Sequence, residues 1–183
     1  MTRRAVVFDL DGTLIDSAGD IADVLNACLA TRGIAPFDEP AVTSMIGAGA
    51  KVLVERTLTR LGRPGDMRLL AELHREFEER DRDLGAGRSK VFPGGRELLA
   101  SLAAQGIGLG LCTNKPEAVT LKTLDDLGLT PLFGAIVGET AALPRKPDPA
   151  MLLATIERLG AEPAHSVMIG DSPADVGAAR AAG

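Results

Sequence analysis

Four short apolar runs alternate with helical patterns along this chain of 183 residues, and this alternation constrains the fold most. Each run is continuous rather than alternating with polar residues, as expected of a strand that is covered on both faces of a sheet. Strands that alternate with helices indicate an α/β protein with a parallel sheet. We predict strands at residues 4–9, 107–112, 135–137 and 166–170, and helices at 94–105, 116–127, 149–159 and 174–182.

The stretch from Ser17 to about Leu84 interrupts this alternation. Its apolar residues recur at helical spacing, and we find no strand pattern in it. Ser17 and Asp20 have the spacing of a capping box that would begin the first of these helices. We therefore predict an all-helical insertion after the first strand. The predicted ranges are 16–88 for the insertion, 1–15 with 89–183 for the α/β core, and 84–90 for the returning linker.

Charge and composition argue against two classes of partner. Twenty-five acidic residues against 20 basic ones give a net charge of −5, and Trp and Tyr are absent, which is unlike a nucleic-acid-binding chain. No apolar run approaches the roughly 18–20 residues that cross a bilayer. Cys28 and Cys112 lie far apart and match no metal spacing, which indicates reduced core thiols. We expect a cytoplasmic protein that binds neither nucleic acid nor membrane.

Polar side chains that can carry chemistry follow the predicted strands. Ligands of open parallel sheets bind beyond the carboxyl ends of the strands, so these side chains are expected to share one crevice. An oxygen-rich crevice suits Mg²⁺ together with a substrate phosphate. The residues are Asp9, Asp11 and Thr13 after the first strand, Thr113, Asn114 and Lys115 after the second, Lys146 before a helix, and Asp171, Ser172 and Asp175 after the fourth.

Asp9 and Asp11 end the first strand one residue apart. Two carboxylates this close oppose each other's ionisation, which indicates a metal or a shared proton as compensation. Taken alone, the motif also fits a turn in which Gly12 supplies the unusual backbone angles.

Four motifs in this order resemble the haloacid dehalogenase superfamily of phosphatases: "DLDGT", "TNK", "KPDP" and "GDSPAD". The resemblance spans nearly the whole chain and implies a Rossmann-like parallel sheet with a helical cap inserted after its first strand. Within the superfamily, "MIGAGAKVLVER", "VFPGGRELLASLAAQG" and "TNKPEAVTLKTLDDLGL" resemble the phosphoglycolate phosphatase group. The pair Glu139-Thr140 departs from that group, which often has Gly-Asp there.

The resemblance implies a role for each residue of the crevice. Asp9 would be the nucleophile that forms an aspartyl-phosphate, and Asp11 the general acid and base. Mg²⁺ would be held by Asp9, the backbone carbonyl of Asp11 and Asp171. Thr113 would bind a phosphoryl oxygen and Lys146 would stabilise developing charge. The remaining candidates are Asp175 and Ser172 as supporting residues, and Thr13, Asn114 and Lys115 as substrate contacts.

The helical insertion adds three candidate substrate contacts, which are Gly47, Lys51 and Arg56. The sequence "GAGAK" at residues 47–51 lacks the spacing of a P-loop and follows no strand, so we interpret it as a helix start that faces the substrate. A plain flexible turn is the alternative. Lys51 and Arg56 also fit a solvated helix face, and Lys115 also fits an ordinary charge at a helix entry.

The expected function is a Mg²⁺-dependent phosphomonoester hydrolase acting on a small phosphorylated metabolite, with 2-phosphoglycolate as the first candidate. The alternatives are a phosphatase of the same superfamily for another sugar phosphate or a nucleotide, and a catalytically inactive phosphate-binding protein of the same fold.

The superfamily core normally continues with one more strand and helix after the "GDSPAD" helix, whereas this sequence ends at Gly183. We therefore expect an incomplete core whose fourth strand is an open sheet edge. An open edge invites pairing with another chain, so self-association through it is expected.

Overall fold

The computed structural model describes residues 3–183; the first two residues of the predicted core range lie outside it. The strands are β1 (Arg3–Phe8), β2 (Ile15–Asp16), β3 (Lys90–Val91), β4 (Gly108–Pro116), β5 (Ala135–Glu139) and β6 (Ala161–Ile169). The helices are α1 (Ala18–Ala30), α2 (Glu39–Thr43), α3 (Ala50–Arg60), α4 (Met67–Leu84), α5 (Gly95–Ala104), α6 (Glu117–Asp126), α7 (Ala150–Arg158) and α8 (Pro173–Ala182), with a 3₁₀ turn at Thr130–Leu132.

Four strands form a parallel sheet in the order β5-β4-β1-β6, which confirms the predicted α/β fold class. β1 is an interior strand, where Val7 pairs with Gly110 of β4 and Met168 of β6. Val7 packs into an apolar cluster with α7 and α8, and Phe8 into a second cluster with α5 and α6. Because both faces of β1 are buried, its apolar run is continuous.

Two strands are longer than the sequence predicts. β4 continues through the polar "TNK" motif to Pro116, with an irregular register to β5 after Cys112. β6 begins at Ala161, and its first half is polar and contains Pro163. β6 lies at the sheet edge, where Pro is tolerated because one side of the strand needs no ladder hydrogen bonds. Neither extension carries an apolar pattern that would predict it.

Helices α1–α4 form the inserted cap, as predicted, and they pack around an apolar cluster of their own. Leu25, Leu29 and Leu73 at the centre of this cluster are fully buried. The cluster draws its buried members from residues 21–77, whereas the two clusters of the sheet draw theirs from outside that range. The cap and the α/β core therefore have separate apolar clusters.

A short antiparallel ribbon that the sequence did not predict joins the cap to the sheet. Ile15 of β2 pairs with Val91 of β3, and Asp16 pairs with Lys90. The chain thus leaves the core and returns to it through two hydrogen-bonded strands. The ribbon lies beside the predicted domain boundaries at 15/16 and 88/89, which stay predictions.

The predicted capping box of α1 is wrong. Ser17 precedes α1 without capping it, and its hydroxyl donates instead to Asp11 Oδ1 at 2.7 Å. The buried Asp20 carboxylate accepts hydrogen bonds from Arg88 N at 3.1 Å and Ser89 N at 2.7 Å, and also from the Ser89 hydroxyl. Both side chains instead form hydrogen bonds across the fold, Ser17 with Asp11 and Asp20 with the returning linker. Asp20 therefore ties the start of α1 to the linker.

β6 forms one edge of the sheet, with Val167 and Ile169 exposed at 58% and 38%. An edge strand presents unpaired backbone N–H and C=O groups to other chains. Self-association through this strand stays a prediction.

Within residues 3–183, no helix combines the length and apolar character that crossing a bilayer requires. The cytoplasmic location stays a prediction.

Replacement of Asp20 by alanine is expected to destabilise the fold by about 2–3 kcal/mol, because it leaves two backbone N–H groups of the linker without their partner. Urea unfolding measures this. The matched control is Asp23→Ala on the same helix. Asp23 is 65% exposed and contacts Arg88 at 3.0 Å, so its loss is expected to cost at most about 1 kcal/mol. Equal losses in the two variants would contradict the structural role of Asp20.

Candidate active site

Asp9 lies directly beyond β1, at the edge of the sheet where the parallel strands end. Its backbone N–H donates to Ile169 O at 2.9 Å, and its side chain is buried. Asp9 Oδ1 is 3.0 Å from Lys146 Nζ in an ion pair that lacks hydrogen-bond geometry. Among the described residues, this oxygen has no hydrogen-bond partner. A buried acceptor without a hydrogen bond is uncommon and is a candidate to contact a ligand or a reacting group.

Lys146 is the centre of a buried charge network. Its ammonium donates to Asp175 Oδ1 at 2.6 Å and to Cys112 O at 2.7 Å. Burial lowers the pKa of Lys146, but the charges of Asp9 and Asp175 outweigh this and raise the pKa above its ordinary value. The ammonium therefore stays charged between two carboxylates. The Asn114 side chain fixes the Lys146 backbone, because it accepts from Lys146 N and donates to Lys146 O, both at 3.0 Å.

Burial raises the pKa of Asp9 from 3.8 to about 6. The Lys146 ammonium opposes the rise, and the neighbouring Asp175 carboxylate adds to it. Removal from water disfavours the charged form of a carboxyl group, and a second cation would reverse that effect.

A group of carboxylates at this point could hold a cation. One oxygen each of Asp9, Asp171 and Asp175 lies within 4.8 Å of the others. Asp171 is exposed and accepts from Thr13 Oγ1 at 2.9 Å. Gly12, with φ +82°, leaves room for Asp171, since a Cβ there would lie 2.6 Å from Asp171 Oδ2. The donor set suits a hard divalent cation that prefers oxygen ligands.

Both oxygens of Asp175 are already engaged. Oδ1 accepts from Lys146, while Oδ2 accepts from Ser172 N at 2.9 Å and Ser172 Oγ at 2.6 Å. Ser172 and Asp175 form the capping box of α8. Asp175 thus supports Lys146, and the acceptors left for a cation are on Asp9 and Asp171.

Asp11 faces a different set of partners from Asp9. Its Oδ1 accepts from the Ser17 hydroxyl at 2.7 Å, and its Oδ2 is 3.8 Å from Lys115 Nζ. Sequence reasoning assigned Ser17 to a helix cap and missed this contact. The spacing of Ser17 and Asp20 predicted a helix N-cap. The same spacing is compatible with a hydrogen bond from Ser17 to Asp11, so it could not distinguish the two.

A second buried ion pair joins the core to the cap. Lys115 Nζ lies 3.2 Å from Asp81 Oδ2 on α4, and the two side chains are 8% and 7% exposed. Burial lowers the pKa of Lys115, but Asp11 and Asp81 raise it above its ordinary value. Burial raises the pKa of Asp81, against the opposing charge of Lys115.

Sequence reasoning missed Asp81, although a signal for it exists. Leu70, Leu73 and Phe77 define the buried face of α4, and Asp81 follows four residues after Phe77 on that face. A charged residue on an apolar stripe is a candidate for a buried functional group.

A cavity between the cap and the core brings the candidates together. The core contributes Asp9, Asp11, Thr113, Asn114 and Lys115 to its wall. The cap contributes Asp81 and apolar or glycine positions, which include Ile21, Ile46, Gly47, Leu53 and Phe77. Gly49 precedes α3 at the same wall, so "GAGAK" is a helix start that faces the cavity.

Two of the three cap candidates are not among the described residues that line this cavity. Lys51 is exposed on α3. Arg56 turns toward the cap's own backbone and donates to Met45 O at 2.8 Å and Ile46 O at 3.2 Å. The structure does not bring either side chain to the crevice.

Comparison with known proteins identifies the family. The model of the haloacid dehalogenase-like hydrolases matches residues 3–183. The chain belongs to this family. It is 47% identical to a phosphoglycolate phosphatase of Rhodospirillum rubrum, over 98% of this chain and 76% of the relative. It is 39% identical to a phosphoglycolate phosphatase of Mesorhizobium japonicum, over 100% of this chain and 81% of the relative.

A solved structure from Haemophilus somnus, described as a predicted phosphoglycolate phosphatase, superimposes with a TM-score of 0.87 at 29% identity. The match covers 100% of this chain and 83% of that one. The expected resemblance is confirmed, and so is the expectation that this member of the hydrolase family is a phosphatase.

Replacement of Asp9 by asparagine is expected to stabilise the metal-free protein near neutral pH. The raised pKa means that the folded state holds a proton on Asp9 up to about pH 6, whereas the unfolded chain releases it near 3.8. The wild-type protein therefore loses stability as the pH rises through this window, by about 1–3 kcal/mol.

Asn cannot ionise, so Asp9→Asn does not undergo this loss. The free energy of unfolding of the variant, relative to that of the wild type, should therefore increase from pH 4.5 to pH 7.5. Urea unfolding in the presence of a chelator, at both pH values, measures it. Asp16→Asn, which changes an exposed carboxylate of β2, is the control. An advantage of Asp9→Asn that is equal at both pH values would contradict the assignment.

Proposed function

We propose that this protein is a Mg²⁺-dependent phosphomonoester hydrolase whose substrate is 2-phosphoglycolate, acting through an aspartyl-phosphate intermediate. The observation that carries the proposal is the buried Asp9 carboxylate, which has an oxygen without a hydrogen-bond partner among the described residues. Lys146 and Asp171 flank it. The names of the relatives, at up to 47% identity, support the choice of substrate.

Mg²⁺ would be held by Asp9, Asp171 and the backbone carbonyl of Asp11. The geometry favours the two side chains, because Asp175 is committed to Lys146 and Ser172. When bound, the ion would neutralise charge on the phosphoryl group and so let a carboxylate approach it. Thr13 orients Asp171 in this proposal rather than contacting the substrate.

Asp9 is proposed as the nucleophile. One of its oxygens attacks phosphorus, the ester bond to the leaving group breaks, and the phosphoryl group is then bonded to Asp9. A water molecule attacks this aspartyl-phosphate in the second half of the reaction, which releases inorganic phosphate and restores the Asp9 carboxylate. Lys146 would stabilise the negative charge that moves onto the phosphoryl oxygens, and the buried Thr113, which lines the cavity, would bind one of them through its hydroxyl group.

Asp11 is proposed to carry the proton in both half-reactions. It donates a proton to the departing ester oxygen and later accepts one from the attacking water, which returns it to its starting state. The Ser17 hydroxyl holds Oδ1, and this fixes the orientation of the carboxyl group.

The cap side of the cavity is proposed to select the leaving group. The glycolate part of the substrate is only two carbons long, so its carboxylate would lie close to Asp11, where Lys115 is the neighbouring cation. Gly47 lines the cap side of the cavity, and a Cβ there would lie 3.0 Å from Ser172 Cβ. Asn114 acts by fixing the Lys146 backbone. Lys51 and Arg56 do not enter the proposal.

A panel of phosphate esters, assayed with Mg²⁺ and with a chelator, tests the substrate and the metal together. We expect 2-phosphoglycolate to be the best substrate and the chelator to abolish turnover. Preference for a sugar phosphate or a nucleotide would redirect the substrate assignment. Binding of phosphorylated ligands with no hydrolysis of any ester would favour an inactive phosphate-binding protein.

Asp9→Asn is expected to lower turnover at least ~10³-fold, the scale seen when one member of a catalytic group is removed. The substitution keeps the size of the side chain and removes the charge that would attack phosphorus. Steady-state kinetics on the best ester of the panel measure the loss, and Asp16→Asn is the matched control. Turnover near the wild-type value in Asp9→Asn would refute the nucleophile assignment.

A further inference from the structure

We propose that Asp81 of the cap lowers the affinity for the substrate carboxylate by competing with it for Lys115. This inference rests on the proposed function, since it concerns the leaving-group end of the same cavity. Asp81 acts through Lys115, and it is therefore a positioning residue rather than a catalytic one.

The geometry gives Lys115 a primary partner on the cap. Lys115 Nζ is 3.2 Å from Asp81 Oδ2 and 3.4 Å from Asp81 Oδ1, but 3.8 Å from Asp11 Oδ2. Asp81 is buried, and it lines the cavity together with Asp11 and Lys115. The ammonium thus lies between the carboxylate beside the reacting atoms and a carboxylate of the cap.

A buried ammonium without a counter-ion is costly, and Asp81 removes this cost while the cavity holds no ligand. A ligand carboxylate that reaches Lys115 must displace Asp81 from it or share it. Asp81 also repels any anionic leaving group at this wall, because water screens like charges only weakly at a buried position. Both effects weaken carboxylate binding and leave an uncharged leaving group unaffected.

Competition from Asp81 is expected to favour release of the product. Glycolate retains the carboxylate after the phosphoryl group has moved to Asp9, and Asp81 then competes with it for the same ammonium. Asp81 therefore shortens the stay of the product at the expense of affinity for the substrate.

The test compares two substrates that differ at one group. In 2-hydroxyethyl phosphate, a CH₂OH group replaces the carboxylate of 2-phosphoglycolate. In Asp81→Asn, which keeps the size of the side chain, we expect the KM for 2-phosphoglycolate and the inhibition constant of glycolate to fall about tenfold, within the usual range of coupling between two sites. The KM for 2-hydroxyethyl phosphate should stay unchanged.

Two further variants complete the experiment. Asp83→Asn, on an exposed residue of the same helix, should leave both KM values at the wild-type level. Asp81→Glu restores a carboxylate and should return the ratio of the two KM values toward that of the wild type. The ratio does not depend on the amount of folded enzyme, so partial unfolding of a variant cannot produce the expected result.

A purely structural role of Asp81 would change both KM values equally, and that result would overturn the inference while leaving the proposed function intact. A rise in the KM for 2-phosphoglycolate alone would overturn it as well, because Asp81 would then assist carboxylate binding. If the wild-type enzyme fails to hydrolyse 2-phosphoglycolate but hydrolyses other esters, the proposed substrate is wrong and the inference falls with it.

Discussion

The site depends on one buried ammonium, that of Lys146, held between the carboxylates of Asp9 and Asp175. Without these carboxylates, the Lys146 ammonium would be an unpaired charge in a region that water does not reach, and such charges are costly. The three residues come from the end of β1, the loop before α7 and the first turn of α8. The network can therefore form only when these three parts of the chain are brought together. The crevice is a product of the whole α/β core rather than of one loop.

The same arrangement recurs at the cap. Lys115, like Lys146, lies between two carboxylates, but one of them belongs to α4 of the inserted domain. The first network orders the groups that would handle phosphorus, and it lies within the core. The second spans the gap between core and cap, so its strength depends on how the two parts are docked. In the proposed mechanism, Lys146 serves the phosphoryl chemistry and Lys115, which lines the cavity between cap and core, serves the choice of leaving group.

The sequence predicted that the members of the first network share one crevice, and the structure brings them together. Asp9 and Asp175 follow predicted strands, and parallel strands end at one edge of a sheet. Lys146 precedes a helix, and its motif placed it in the same crevice. Ser17, Asp20 and Asp81 were not assigned to their partners, because those partners depend on how the insertion docks. Asp20 and Ser89 are far apart in the sequence, and so are Asp81 and Lys115. No local sequence pattern therefore predicts either contact. The capping-box spacing was present, but tertiary partners overrode it.

The ribbon of β2 and β3 has a mechanical consequence for the molecule. A domain attached by a single strand can both swing and rotate about it, since the backbone turns freely at either end. Here the outgoing and returning strands are bonded to each other, and Asp20 fastens the returning strand to the first helix of the cap. Rotation about the attachment would have to break the ribbon, whereas bending along its width would not. The ribbon therefore restricts rotation of the cap relative to the core, and this restriction helps to hold Asp81 beside Lys115.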